Sequence, residues 1–211
     1  MKIKAVLFDM DGVLIDAKDW HYEALNKALA LFGLEINRHD HLVAYDGLPT
    51  KRKLEMLTLE KGLPQKLHSF INEMKQQFTM DEVYQKCKPN FLHEYAISRL
   101  KNSGYKLAVC SNSIKKTIEI MLDKAMILDL FDLYLSNQDV EKGKPDPEIY
   151  TKCMNLLGVT PGETLILEDN EHGIKAALAS GAHLLRIDSI DEVNYSNIAA
   201  RIAEIESNGV Q

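Results

Sequence analysis

Long hydrophobic runs are missing from this chain. No segment approaches ~18 uninterrupted apolar residues, so no membrane span is expected. Cysteine is scarce and odd in number. Cys87, Cys110 and Cys153 lack the paired spacing of a zinc site and read as reduced packing thiols, so the chemistry is not built on sulfur. Positive charge is in deficit, with 25 Lys and Arg against 31 Asp and Glu for a net charge of −6. That balance gives no electrostatic footprint for nucleic acid, and no Lys/Arg run suggests an anionic membrane partner. Internal repeats and low-complexity stretches are absent too. The first strand begins at once and leaves no room for a signal peptide, which makes a cytoplasmic protein the expectation. What is present, 45% hydrophobic and 27% charged residues over 211 positions, is the composition of a soluble globular protein. The length suits one domain, or one domain with a sizeable insert.

The most informative stretch is Lys4-Ala5-Val6-Leu7-Phe8-Asp9-Met10-Asp11-Gly12-Val13. Ile3 to Phe8 is a near-continuous apolar run with β-branched members, which reads as a strand buried on both faces of a parallel sheet. It ends in two carboxylates and a glycine, where open α/β sheets bind ligands. Asp9 and Asp11 can aim at one point if the chain turns between them, and Gly12 permits the turn. Two such charges repel unless they share a cation or a proton, so a divalent metal is the natural guess. The plainer alternative is an acidic turn after a strand.

Helical spacing follows. Trp20, Ala24, Ala28, Leu31 and Phe32 form one run stopped by Gly33, Arg52 to Lys61 a second, and Gln65 to about Gln85 a third with Leu67, Phe70, Ile71, Met74 and Phe78 on a stripe. Residues 17–86 are therefore expected to be an inserted helical domain, too long for an ordinary βα connection and placed where it could cover the two aspartates. Beyond it, strands over 105–110, 133–135, 164–167 and 183–187 alternate with helices over 91–102, 115–126, 147–157, 171–180 and near 198–206, with a frayed tail after Ser207. That alternation predicts an α/β fold, a doubly wound, Rossmann-like parallel sheet made of residues 1–16 and 87–211.

Parallel strands send their carboxyl ends to one edge, so Asp9/Asp11, Ser111/Asn112 and Glu168/Asp169 should meet. Ser111-Asn112-Ser113 precedes a helix, and a hydroxyl beside free helix-start N–H groups suits phosphate. Simple capping is the alternative, and for Ser113 it could be the whole role. Glu168-Asp169 repeats the pattern of apolar strand then acids and strengthens the case for Mg²⁺, which wants oxygen ligands. In Lys142-Gly143-Lys144-Pro145-Asp146-Pro147, Asp146 reads as an N-cap with Pro147 at the first helical position, and Pro145 keeps Lys144 extended. A lysine fixed there can neutralise a carboxylate and a phosphate oxygen together.

Taken in order, Asp9-x-Asp11-Gly12-Val13, Ser111, Lys144 in Lys-Pro-Asp-Pro, and Glu168-Asp169 with Gly173 resemble the haloacid-dehalogenase-like superfamily. The resemblance is closest to its phosphoglucomutase/phosphatase subgroup, which has a small helical cap, and it spans the whole chain. It implies that Asp9 is a nucleophile forming an aspartyl-phosphate, that Asp11 is the general acid/base, and that Ser111 and Lys144 hold phosphoryl oxygens. It further implies Mg²⁺ on Asp9, the backbone carbonyl of Asp11, and Asp169, with Glu168 nearby or acting through water. Met10, Gly12 and Asn112 join the phosphate-binding set. Ala17 stands where relatives often carry Ser or Thr, and Asn170 where they usually carry Ser.

For the cap, Gly47, Thr50 and Lys51 are candidate substrate contacts, and His21 could support Asp11 or the substrate. Thr50 stands where similar mutases carry an arginine, although Lys51 or Arg52 could substitute. A solvated face is the other reading of Lys51-Arg52-Lys53, and cap core that of Trp20. The expectation is a Mg²⁺-dependent phosphatase of a small phosphorylated metabolite, working as a monomer. A sugar-phosphate mutase and a non-turnover phosphometabolite-binding protein are the alternatives.

Overall fold

A computed structural model describes residues 2–208, so the end of the expected frayed tail lies outside the described residues, and α9 itself extends past Ser207 to Asn208. Among the described residues no helix is long and apolar enough to cross a membrane. The chain divides into two compact units, one running up to Asp16 and again from Lys88, the other Ala17–Cys87.

The first unit is a five-stranded sheet, β1 (Ala5–Phe8), β2 (Lys106–Cys110), β3 (Leu133–Leu135), β4 (Thr164–Glu168) and β5 (His183–Arg186), in the order β3-β2-β1-β4-β5. Every pairing is parallel. All four residues of β1 are buried because it is central and both faces are covered. Side chains alternate between the faces. Ala5 and Leu7 join Ala108, Cys110 and Ile166 in a core closed by α7 (Glu148–Leu157) and α8 (Glu171–Ala179). Phe8 points the other way and meets Phe131 edge-on, ring centroids 5.7 Å apart. The helices α5 (Phe91–Asn102), α6 (Lys115–Lys124) and α9 (Tyr195–Asn208) complete the unit, α5 packing on α9.

The second unit is helical, with α1 (Lys18–Ala30), α2 (Arg38–Asp40), α3 (Thr50–Lys61) and α4 (His68–Lys86), and a π-helical turn over His41–Tyr45. Leu25, Ala28 and Leu29 pack with Leu54, Leu57 and Ile71 in its core. Gly62, at φ +70°, ends α3 in the left-handed conformation that glycine adopts without strain. Three members of the expected apolar stripes are not core: Leu31, Phe32 and Phe70 are exposed, and the two phenylalanine rings meet edge-on, centroids 6.0 Å apart. Trp20 is only half-buried. The short α2 and its π-turn escaped the periodicity because three- and five-residue pieces carry less than two helical turns of pattern.

Candidate active site

The register of β1 fixes the site. Phe8 pairs with Val109 on β2 and with Leu167 on β4, so the next residue along each strand, Asp9, Cys110 and Glu168, falls in one row at the carboxyl edge. Asp9 keeps the ladder for one more step, its N–H donating to the Leu167 carbonyl at 3.0 Å. The chain then folds back on itself. The Met10 carbonyl accepts from the N–H groups of Leu14 and Ile15, both at 2.9 Å, and Gly12 takes φ +90°, open to glycine without strain. Met10 and Gly12 are buried in this loop.

Lys144 sits at the centre of the row and is buried. Its Nζ donates to Asp9 Oδ1 at 2.7 Å, to the Cys110 carbonyl at 2.7 Å and to Glu168 Oε1 at 2.6 Å. Three acceptors match the three protons of an ammonium. Burial disfavours that charge, but Asp9 and Glu168 outweigh it and leave Lys144 above its ordinary value. Burial, and after it the charge of Glu168, pushes the Asp9 carboxyl up to about 7, with Lys144 pulling the other way. Glu168 is wholly buried and also accepts from the Tyr150 hydroxyl on α7 and, at 3.3 Å, from the Asp169 N–H.

Asp9, Glu168 and Asp169 each bring a carboxylate oxygen within 4.8 Å of the others. Three hard oxygen donors at that spacing suit Mg²⁺, which takes carboxylates and keeps several waters. The Asp11 side chain is not a member of this cluster, and its Oδ2 accepts from Ser113 Oγ at 3.0 Å.

One expectation about the turn after β2 needs correction. Ser113 does not cap the following helix; Ile114 occupies that position, and Ser113 instead holds Asp11. Of the N–H groups at the helix start, that of Lys115 is taken by Gln138 Oε1 at 2.9 Å. Ser111, buried at the end of β2, accepts from the Ser113 N–H at 3.0 Å. Asn112 grips the Lys144 backbone, accepting from its N–H at 3.0 Å and donating to its carbonyl at 3.3 Å. A Cβ on Gly143 would lie 2.8 Å from Asn112 Oδ1, so glycine is what allows this approach. The Lys144–Pro145 peptide is cis. The helix after it begins at Glu148, one residue later than expected, with Pro147 as the cap; Asp146 Oδ1 still accepts the Glu148 N–H at 3.0 Å.

The remaining candidates belong to the helical unit. His21 lies on α1 with its Nδ1 3.2 Å from Lys75 Nζ. Gly47 has φ +70° and Thr50 opens α3. Lys51 and Arg52 are exposed, whereas Lys53 is buried, so the cation of that run withdrawn from solvent is not one of the candidate substrate contacts.

The sequence model of the haloacid dehalogenase-like hydrolases matches residues 6–187, a span containing every member of the carboxylate–lysine row. The chain belongs to that family. This hydrolase is 31% identical over 179 residues to a phosphoglycolate phosphatase of Aquifex aeolicus, covering 85% of this chain and 82% of that protein. It is 28% identical over 182 residues to a phosphorylated carbohydrates phosphatase of Thermotoga maritima, again over 85% and 82% of the two chains. In fold it is similar to the β-phosphoglucomutase of Clostridium difficile, with a TM-score of 0.84 over 97% of this chain and 99% of that one at 22% identity. Sequence reasoning missed Tyr150 in this hydrolase. The signal was there: Tyr150, Cys153, Met154 and Leu157 recur at core-facing helical spacing, and a hydroxyl on such a stripe needs a buried partner.

Proposed function

We propose that the chain is a Mg²⁺-dependent phosphatase that hydrolyses a small phosphorylated metabolite through an aspartyl-phosphate on Asp9. The observation that carries this reading is Lys144 shared between Asp9 and Glu168 beside a cluster of three carboxylates. Names of relatives agree in class, since a phosphoglycolate phosphatase and a phosphorylated carbohydrates phosphatase both release phosphate from small molecules.

A phosphate dianion repels a carboxylate nucleophile, so positive charge must be supplied where the two meet. Lys144 supplies part of it from within the protein. Mg²⁺, held by Asp9, the Asp11 backbone carbonyl and Asp169 with Glu168 close by, would add the rest and oppose the same repulsion. An Asp9 carboxylate oxygen attacks phosphorus, and the bond from phosphorus to the ester oxygen breaks. Asp11 gives its proton to the departing oxygen. Water then attacks the phosphorus of the aspartyl-phosphate, Asp11 takes a proton from it, and the bond to Asp9 breaks to release phosphate. Ser111 and Lys144 orient the phosphoryl oxygens, and Ser113 keeps Asp11 turned towards the site.

Incubation with para-nitrophenyl phosphate and Mg²⁺ tests this, beside Asp9→Asn and a chelated control. Turnover that vanishes in both controls is the expected result. Turnover surviving Asp9→Asn would rule out the aspartyl-phosphate.

A further inference from the structure

We infer that Tyr150 is a positioning residue for this site, acting through Glu168 to hold Lys144 against Asp9. The inference rests on the phosphatase reading for its kinetic consequence, but its structural basis is independent of it.

Tyr150 is wholly buried on α7 among Ile149, Cys153 and Met154, a position where phenylalanine would pack without a polar atom to satisfy. Its hydroxyl donates to Glu168 Oε1, the same oxygen that takes the Lys144 ammonium at 2.6 Å. The ammonium also lies 4.9 Å from the centre of the Tyr150 ring, within cation–π reach. One side chain thus touches both ends of the Lys144–Glu168 pair.

The need for it follows from counting donors and acceptors. Lys144 has three protons, and all three are placed, on Asp9, Glu168 and the Cys110 carbonyl. Asp9 and Glu168 compete for the one cation. A second donor on Glu168 Oε1 weakens that carboxylate's hold and leaves Lys144 shared rather than drawn away from Asp9. Glu168 cannot escape the competition by turning aside. On its other flank Gly173 is so close that a Cβ there would stand 2.1 Å from the carboxylate atoms. Glu168 is boxed by backbone on one side, and the Tyr150 hydroxyl tunes it from the other.

Tyr150→Phe keeps the ring and removes only the donor. Two readouts apply. With Mg²⁺ and para-nitrophenyl phosphate, kcat should fall roughly 5- to 30-fold with KM within about twofold, the loss of one hydrogen bond to a charged group felt after substrate has bound. Independently of turnover, the ¹H–¹⁵N signal of the Lys144 ammonium, identified by its loss in Lys144→Met, should shift and its protons should exchange faster with water. Circular dichroism confirms that the variant is folded. Either readout unmoved overturns the inference: an unchanged ammonium signal means that Tyr150 only fills the core, and an unchanged kcat means that its bond to Glu168 does not matter to the reaction. If the wild-type protein shows no turnover, the phosphatase reading fails and the ammonium signal alone decides the role of Tyr150.

Discussion

Gly173 and the carboxylate of Glu168 compete for one space: a Cβ at position 173 would lie 2.1 Å from Cδ, Oε1 and Oε2 of Glu168. The glycine sits near the start of α8 and the glutamate closes β4, so a short turn brings the two together.

Gly173→Ala sets two effects against each other. Alanine favours a helix by about 1 kcal/mol over glycine. Overpacking costs about 1–3 kcal/mol, and displacing a buried, bonded carboxylate costs a similar amount again. Net destabilisation of about 2 kcal/mol is expected in urea unfolding, with kcat reduced at least ~100-fold as Lys144 loses its anchor. Stability and kcat matching wild type would show that Glu168 has somewhere else to go.

Lys144→Met should be worse than the loss of a contact. It leaves Asp9 and Glu168 buried without their shared cation, and breaking such a pair costs about 3–5 kcal/mol. Adding Glu168→Gln removes one of the two stranded charges, so the double variant should unfold at higher urea than Lys144→Met alone. Neither should turn over. A double variant no more stable than the single one would mean that the two acids do not repel across this gap.

Ser113→Ala removes the hydroxyl that donates to Asp11 Oδ2 at 3.0 Å. Asp11 would then lose its orientation but not its charge, and kcat should fall about 10-fold while KM stays within twofold. Stability should change by less than about 1 kcal/mol, because the pair is only partly buried. A changed KM with intact kcat would point to Ser113 as a substrate contact instead.

His41 gives the helical unit a pH dependence. Burial first, then the charge of Lys53, lower the imidazole to about 4, although Asp46 lies 3.7 Å from Nε2 and pulls upward; Arg38 and Asp19 add smaller, opposed effects. The folded value lies below the ordinary 6.5, so the unfolded chain binds more protons between those two limits. Stability contributed by the neutral ring is therefore intact above pH ~6.5 and is lost as pH falls towards ~4, by on the order of 2 kcal/mol. Melting curves of His41→Asn across that window should be flatter than wild type. Parallel curves would assign the acid sensitivity elsewhere.

Much of this was legible in the residues. Ala5–Phe8, Lys106–Cys110 and Thr164–Glu168 are short apolar runs ended by polar groups, and parallel pairing brings such ends together whatever the intervening length. Those rules place Asp9, Ser111 and Glu168 on one edge. They do not say who bonds to whom. Ser113 read as a cap because serine before a helix usually is one, and only the closed turn shows it reaching 102 residues back to Asp11.

The sequence by itself determined the order of strands and helices, the inserted helical stretch and the edge at which the acids gather, because hydrophobic period, glycine and proline act locally. The tertiary structure alone decided which partner each polar group has and which faces are covered: Lys144 with Asp9 across 135 residues, Tyr150 with Glu168, Lys53 buried while Lys51 is exposed. Those choices depend on helix phase and on packing between distant segments. A buried charge takes the partner that closure of the chain brings within 3 Å, and no local pattern encodes that distance.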